Sequence, residues 1–302
     1  MTSPAQAKKV LPRKQTRATS ANLLQAQLLK NADRDEALSF LAARPLHTVM
    51  LAGFIRDNGM ESPLNRGQFY ATRDRLGRIN GLALIGHATL IETESSEALA
   101  AFARIARSCG NAHMLMGEQD KVQTFWTSYA EEGLTPRLIC REMLYEQRWP
   151  VEVRDAVRGL RQATLDDLNL IMPVHAQMAF EESGVNPMET DAVGFRLRCA
   201  RRIEQGRVFV WVEEGRLIFK ADIVSDTPDG IYLEGVYVAS EERGKGHGLR
   251  CISQLSRNLL ARTKSVCLLV NENNWKAQAF YLSAGYKLRA TYETIFLTQQ
   301  NK

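Results

Sequence analysis

The sequence is short of the features that sort a chain most quickly into a class. It has five cysteines, Cys109, Cys140, Cys199, Cys251 and Cys267. They are odd in number, scattered and never spaced C-x-x-C. That excludes a disulfide framework and a zinc site, and fits small apolar fillers in a reducing cytosol. No apolar run is long enough to span a bilayer and no secretory leader is visible, so a cytoplasmic protein without membrane contact is expected. The net charge is only +5 over 302 residues. Such a balance suits an anionic small ligand, but is not the clustered basic face that nucleic acid calls for. His47, His87 and His113 lack metal-ligand spacing, and no metal is expected. Two common phosphate-binding signatures, G-x-x-x-x-G-K-S/T and G-x-G-x-x-G, are missing.

What is present is enough length and apolar content, 45% of residues, for two domains of ordinary size. Residues 1–21 form a basic tail with Lys8, Lys9, Arg13, Lys14 and Arg17, and no acid precedes Asp33. This composition reads as a disordered, solvated extension, and any nucleic-acid role would rest on it alone. Residues 22–147 make a first domain. Its pattern predicts helices over 35–44 and 47–57, strands over 67–73 and 79–91, and an amphipathic helix over 96–109 with Leu99, Phe102, Ile105 and Ala106 on one face. A strand over 113–117, a helix over 122–132 containing Phe125 and Trp126, and a closing strand over 138–145 follow. Residues 148–156, with Pro150 among charges, read as a linker. The second domain, 157–302, opens with a strand and a helix start at which Thr164 and Asp167 have capping-box spacing. Strands over 207–212 and 217–224 flank a hairpin turn, and 287–297 is a final strand.

The most informative stretch is R-G-K-G-H-G at 243–248. It follows an apolar strand, Ile231–Val238, and precedes a helical run over 249–260. A glycine-rich loop in that place aims several backbone N–H groups and a helix N-terminus at one spot, a natural seat for a phosphate. Alone it is equally a tight strand-to-helix turn. Beyond it lie a buried strand over 265–270 and a helix in NENNWKAQAFYLSAGY, residues 271–286.

Together these segments resemble the GNAT superfamily of acetyl-CoA-dependent N-acyltransferases. The family loop R/Q-x-x-G-x-G/A is matched by Arg243, Gly246 and Gly248. The family pattern N-x-x-A-x-x-F-Y-x-x-x-G-F/Y is matched by Asn274, Ala277, Phe280, Tyr281, Gly285 and Tyr286. The first half echoes the order of elements without the glycine loop. Glu92, Thr93 and Glu94 stand in its place, and their charge would repel a pyrophosphate. The expected fold is therefore α/β (α+β): two GNAT-like domains in tandem, the first degenerate, each a mixed, mainly antiparallel sheet flanked by helices.

The resemblance implies transfer of an acetyl group from acetyl-CoA to a primary amine by direct attack in a ternary complex. It places backbone groups of Val236, Tyr237 and Val238 against the acyl and pantetheine portion. Arg243, Gly244, Lys245, Gly246, His247, Gly248 and Leu249 fall around the pyrophosphate, and Asn271, Asn274, Ala277, Phe280 and Tyr281 around the cofactor arm. Tyr281 is the candidate general acid, with aromatic packing as the plainer role. Asn274 bonds the arm, caps its helix, or does both. Glu234, a charge in an apolar strand, is the candidate base. Alternation puts it on one face with Val236 and Val238, opposite Leu233 and Tyr237, where burial would raise its pKa. A structural ion pair or a solvent-facing edge is the alternative. Glu181 and Glu182 are weaker candidates for the acceptor site, and His175 reads as a packed or surface residue. The acceptor is a small-molecule or peptide amine, and self-association as a homodimer is left open. The competing class is an acetyl-CoA-binding sensor or assembly module without turnover, against which the phenol of Tyr281 argues.

Overall fold

The computed structural model describes residues 24–130 and 134–298, so the basic tail lies outside the described residues. The first half runs β1 (Gln27–Leu28), α1 (Arg34–Leu41), α2 (Pro45–Asn58), β2 (Gly67–Arg73), β3 (Ile79–Gly86), β4 (Ala88–Thr93), α3 (Ser96–Arg107), β5 (Met114–Glu118), α4 (Gln119–Tyr129) and β6 (Pro136–Gln147). The second runs β7 (Leu160–Gln162), α5 (Leu168–Ser183), α6 (Pro187–Thr190), α7 (Ala192–Glu204), β8 (Val208–Glu213), β9 (Arg216–Asp226), β10 (Ile231–Val238), α8 (His247–Leu260), β11 (Val266–Asn271), α9 (Trp275–Ser283) and β12 (Lys287–Leu297).

Local chemistry accounts for most of these boundaries. Ser95 caps α3 by accepting from the Ala98 N–H at 3.2 Å, and the apolar stripe of that helix packs with Phe125 of α4. The Thr164 N–H donates to the Asp167 carboxylate at 2.8 Å, closing the expected capping box ahead of α5. Glu214 and Gly215, at φ 49° and 74°, make the β8–β9 turn.

Two differences from expectation stand out. The strand expected over 79–91 is two strands that fold back at His87, pairing Leu84 with Leu90. Apolar residues on both sides of that turn conceal it from the hydrophobic pattern. Helix α7 was not anticipated. Its cap is Asp191, which accepts from the Gly194 N–H at 2.9 Å, and it buries Phe195, Cys199 and Ile203.

Among the described residues, twelve strands form one mixed, mostly antiparallel sheet in the order β1-β2-β3-β4-β5-β12-β6-β11-β10-β9-β8-β7. Among these pairs β4–β5 and β10–β11 run parallel, one in each half. The two halves exchange their closing strands. β12, from the end of the chain, covers the edge of β5, and β6, from the first half, covers the edge of β11. β6 and β12 then pair with each other along nearly their whole lengths, from Lys287↔Glu146 to Leu297↔Pro136. The sequence reading had given each half its own closing strand. Pattern shows that both segments are strands, but not which edge each one covers.

The exchange enters the cores as well. Tyr145 of β6 is buried in the second half's core with Leu255, Leu268 and Tyr281, while Ile295 and Leu297 of β12 complete the first half's core. Helix α2 crosses the junction, where the Ser225 hydroxyl donates to the Val49 carbonyl at 2.6 Å and Arg207 holds Asp57 at 2.6 and 2.7 Å. A fragment of residues 157–302 would lack β6, leaving the β11 edge bare and a hole at Tyr145. We expect this fragment to show no cooperative thermal transition by circular dichroism, and the full chain to unfold in a single one. A fragment that melts cooperatively would contradict the shared core.

Candidate active site

β10 and β11 pair only through Ile231↔Val266 and Tyr232↔Cys267, then separate. The β10–β9 ladder slips between Glu234 and Tyr237, where Gly235 takes φ 60°, a bulge conformation suited to glycine. The bulge reverses the alternation assumed from the sequence. Leu233, Val236 and Val238 pack on the α8 side, whereas Tyr237 packs on the α5–α7 side. Glu234, paired across the ladder with Asp222, shares that second face and is exposed. The expectation of Glu234 buried beside Val236 and Val238 is therefore corrected. One extra residue in a strand shifts every later side chain to the other face.

β10 ends beneath the glycine loop. Gly244 and Gly246 have φ 77° and 80°, and a side chain at either would meet open space. Helix α8 begins at His247, two residues before the expected start, with Gly246 as a cap that supplies no side-chain acceptor. The first-turn N–H groups of His247, Gly248 and Leu249 thus point out of the helix end. Gly248 is demanded by packing, since a Cβ there would sit 2.8 Å from Val238 Cγ2 and 3.3 Å from Phe280 Cε2. Arg243 Nε donates to the Val238 carbonyl at 3.0 Å and ties the loop to the strand, while Lys245 pairs with Glu242 at 3.1 Å. His247 approaches the same carboxylate at 3.2 Å, and its ring lies 5.0 Å from that of Trp211.

Helix α9 flanks the opening. Asn274 Oδ1 accepts from the Ala277 N–H at 3.1 Å, so capping is its role in the fold, and Asn271 Oδ1 accepts from the Asn273 N–H at 2.9 Å. Ala277 and Phe280 lie half-buried against the second core. Tyr281 is 7% exposed among Tyr145, Phe280 and Tyr286. Burial pushes its phenol pKa far up, and the nearby Tyr286 adds to the shift, so the group stays protonated and keeps a proton to donate.

Three carboxylates from distant segments act on one another near the gap: Glu142 of β6, Glu182 at the end of α5, and Glu234. Glu182 is reached by solvent but closely surrounded by protein, as in the wall of a cleft. Desolvation, then Glu234 and Glu142, push its pKa from 4.5 to about 8. Glu142 is also raised, chiefly by burial, against a hydrogen bond from the Thr294 hydroxyl at 2.6 Å. Glu181 points elsewhere and accepts from Gln177 Nε2 at 2.9 Å. Glu142 escaped the sequence reading because it lies in the half without the glycine loop and reaches the gap only through the exchanged strand. His175 packs edge-on to Phe195, at 5.4 Å between ring centroids.

The first half has the corresponding divergence, with β4 and β5 paired only from Ala88↔Met114 to Leu90↔Met116. Glu92 and Glu94 follow as expected, but they are not free to repel a ligand. Arg44 bonds both at 2.9 Å, and Lys121 holds them at 3.2 and 2.9 Å. Glu118 joins the network at 2.7 Å from Arg44 and 2.8 Å from Lys121. Ion pairs occupy the place that the glycine loop takes in the second half. Among the described residues no group of three His, Cys, Asp or Glu side chains could hold a metal, and no helix is long and apolar enough to cross a membrane.

A family profile described as FR47-like protein matches residues 221–295, the stretch from β9 to β12 that carries the gap and the loop. Solved structures match almost the whole chain. A Drosophila protein is 13% identical, covering 92% of this chain and all of its own, with a TM-score of 0.69. A GCN5-related N-acetyltransferase from Sphaerobacter thermophilus is 12% identical over 94% of this chain and 98% of its own, at 0.56. A tandem GNAT protein from the clavulanic acid biosynthesis pathway is 14% identical over 92% of this chain and all of its own, at 0.55.

The chain is a GNAT-fold protein of the tandem type.

No protein among the curated ones matches it significantly. At these identities the solved GNAT structures speak for the fold, with its paired halves, and the chemistry rests on the residues themselves.

Two expectations test the geometry. Gly248→Val should destabilise the fold by about 1–3 kcal/mol in chemical denaturation, because it overpacks Val238 and Phe280. Gly246→Ala, with open space but φ 80°, should cost only the strain of a left-handed residue, about 1–2 kcal/mol. For Glu182, the fold favours the protonated form. Its contribution is complete below about pH 4.5, the usual glutamate value, and is lost as pH rises through about 8. Glu182→Gln should therefore raise the melting temperature relative to the parent at pH 9 and leave it unchanged near pH 4. An equal shift at both pH values would refute the raised pKa.

Proposed function

We propose that the chain transfers an acetyl group from acetyl-CoA to a primary amine of a small molecule or peptide in the cytoplasm, with the site in the second half. The observation that carries this reading is the divergence of β10 from β11 directly beneath the open N-terminus of α8. Together they form a slot between two strands that ends in unpaired N–H groups. The residues fit the cofactor, since the glycines leave the mouth of the loop clear and the helix end favours an anion. Backbone groups of Val236, Tyr237 and Val238 would hold the acyl and pantetheine portion, and those of Arg243 through Leu249 the pyrophosphate. When bound, acetyl-CoA supplies an activated thioester.

Tyr281 holds a proton at its phenol oxygen in the core flanking the gap, the state a general acid for a departing thiolate needs. On the other side Glu182 is the stronger base candidate. With a pKa of about 8 it is ionised in the mildly alkaline range, where it can take a proton from an ammonium, directly or through water. Burial, then repulsion from Glu234 and Glu142, maintains that pKa, and the acidic cluster attracts a cationic acceptor. Glu234 thus acts on the base, and Glu181 takes no part.

Calorimetry should give one acetyl-CoA site per chain, weakened by Gly246→Asp. Two equivalent sites, or one unaffected by the substitution, would sink the reading. With an acceptor found by amine screening, Tyr281→Phe should lower kcat by about 10²-fold or more and change cofactor affinity little. The rate should rise with pH through about 8. Glu182→Gln should remove that limb, and Glu234→Gln should move it to lower pH by relieving repulsion. Binding without turnover across a broad amine panel would leave a non-catalytic cofactor-binding module.

A further inference from the structure

Beneath the gap, on the α5–α7 side of the sheet, lies a buried charged pair that the proposed chemistry does not use. Lys220 and Asp222 of β9 are 0% and 1% exposed. Lys220 Nζ donates to Asp222 Oδ2 at 2.8 Å and to the Gly235 carbonyl at 3.1 Å. Arg202 of α7 reaches the same Asp222 oxygen at 3.3 Å, and His175 of α5 stands 3.9 Å from it. Burial, then the nearby Lys220, lower the His175 pKa to about 4, which leaves the ring neutral.

A buried ion pair is weak evidence for stability, since desolvating two charges offsets most of their attraction. Its position here calls for another explanation. The carbonyl held by Lys220 belongs to the bulge residue itself, and a Cβ on Gly235 would lie 2.8 Å from that ammonium. The two pair members face Tyr237 and Glu234 across the ladder, on either side of the slip. Bulges otherwise leave a carbonyl without a ladder partner, and here a charged donor fills the vacancy.

We propose that Lys220 and Asp222 are positioning residues. They pin the Gly235 carbonyl on the far face of β10, lock the bulge, and so turn the backbone of Val236 to Val238 toward the thioester end of the cofactor. This inference rests on the acetyl-CoA reading. It assigns the pair to the acyl end of the slot and gives it no part at the pyrophosphate end, and that difference can be measured.

The test compares two ligands, acetyl-CoA and its phosphoadenosine-diphosphate fragment, which lacks the pantetheine arm. The variant is the full-length double substitution Lys220→Met with Asp222→Asn. It removes both charges together and keeps an oxygen for Arg202, whose guanidinium is partly exposed and still faces the Glu234 carboxylate. Calorimetry should show the fragment binding within twofold of the parent and acetyl-CoA binding at least tenfold weaker, with circular dichroism showing the fold intact. Unchanged acetyl-CoA affinity in the folded variant overturns the proposal, and so does an equal loss for both ligands. Should the double variant not fold, Gly235→Ala is the second probe. Its methyl group must displace the ammonium from the carbonyl, and the same selective loss is expected. Equal effects on the two ligands, or none, overturn the proposal. A parent protein that binds neither ligand overturns the acetyl-CoA reading itself, an outcome distinct from a parent that binds both and variants that do not discriminate.

Discussion

The ladder between β6 and β12 at the middle of the sheet is the contact on which the rest depends. Both partners of β6 come from the second half of the chain, β12 and β11, and both partners of β12 from the first, β5 and β6. Without these two strands, β5 and β11 would each present an unpaired edge, and both cores would lose members that they draw from the other half. Tyr145 is the clearest case. It is fixed in β6 by the first half's chain but packs beside Tyr281, the aromatic on which the proposed proton donation rests. A sheet joined in this way ties the geometry of the gap to a half that has no glycine loop of its own.

The gap itself combines two strands that part and a helix that begins where they part. Several features seen separately serve that arrangement. Gly248 lets α8 close onto Val238 and Phe280, Arg243 ties the loop to the end of β10, and Asn274 starts α9 so that Phe280 and Tyr281 face inward. Most of the matched family positions therefore have a packing or capping duty that can be read directly from hydrogen bonds and contacts. The acidic side of the gap is built differently. Glu142, Glu182 and Glu234 come from β6, α5 and β10. Burial and then repulsion from the other two raise the pKa of Glu182, and burial is also the main cause for Glu142.

The divergent first half shows how the same framework does without a ligand loop. Its strands β4 and β5 part as β10 and β11 do. Beyond them, Arg44 and Lys121 pair with Glu92, Glu94 and Glu118. Here the sequence reading was right about the missing loop and incomplete about the charge. It weighed the acids of one short segment, while their partners lie in the α1–α2 connection and in α4.

Much of the framework was legible. Strand β2 and the core-facing stripe of α3 follow from alternation and helical spacing, the start of α5 from a capping box, and the loop and α9 from motifs whose glycines and asparagines have local work to do. These features depend on residues within a few positions of one another, and local sterics and hydrogen bonding act at that range. Tertiary structure alone decided three others. The exchange of β6 and β12 depends on which bare edge each strand meets. The bulge at Gly235 depends on Lys220 holding its carbonyl from a neighbouring strand. The raised pKa of Glu182 depends on desolvation and on charges brought from 40 and 52 residues away in the chain. Edge pairing, burial and Coulomb repulsion act through space, and a linear pattern contains no measure of them.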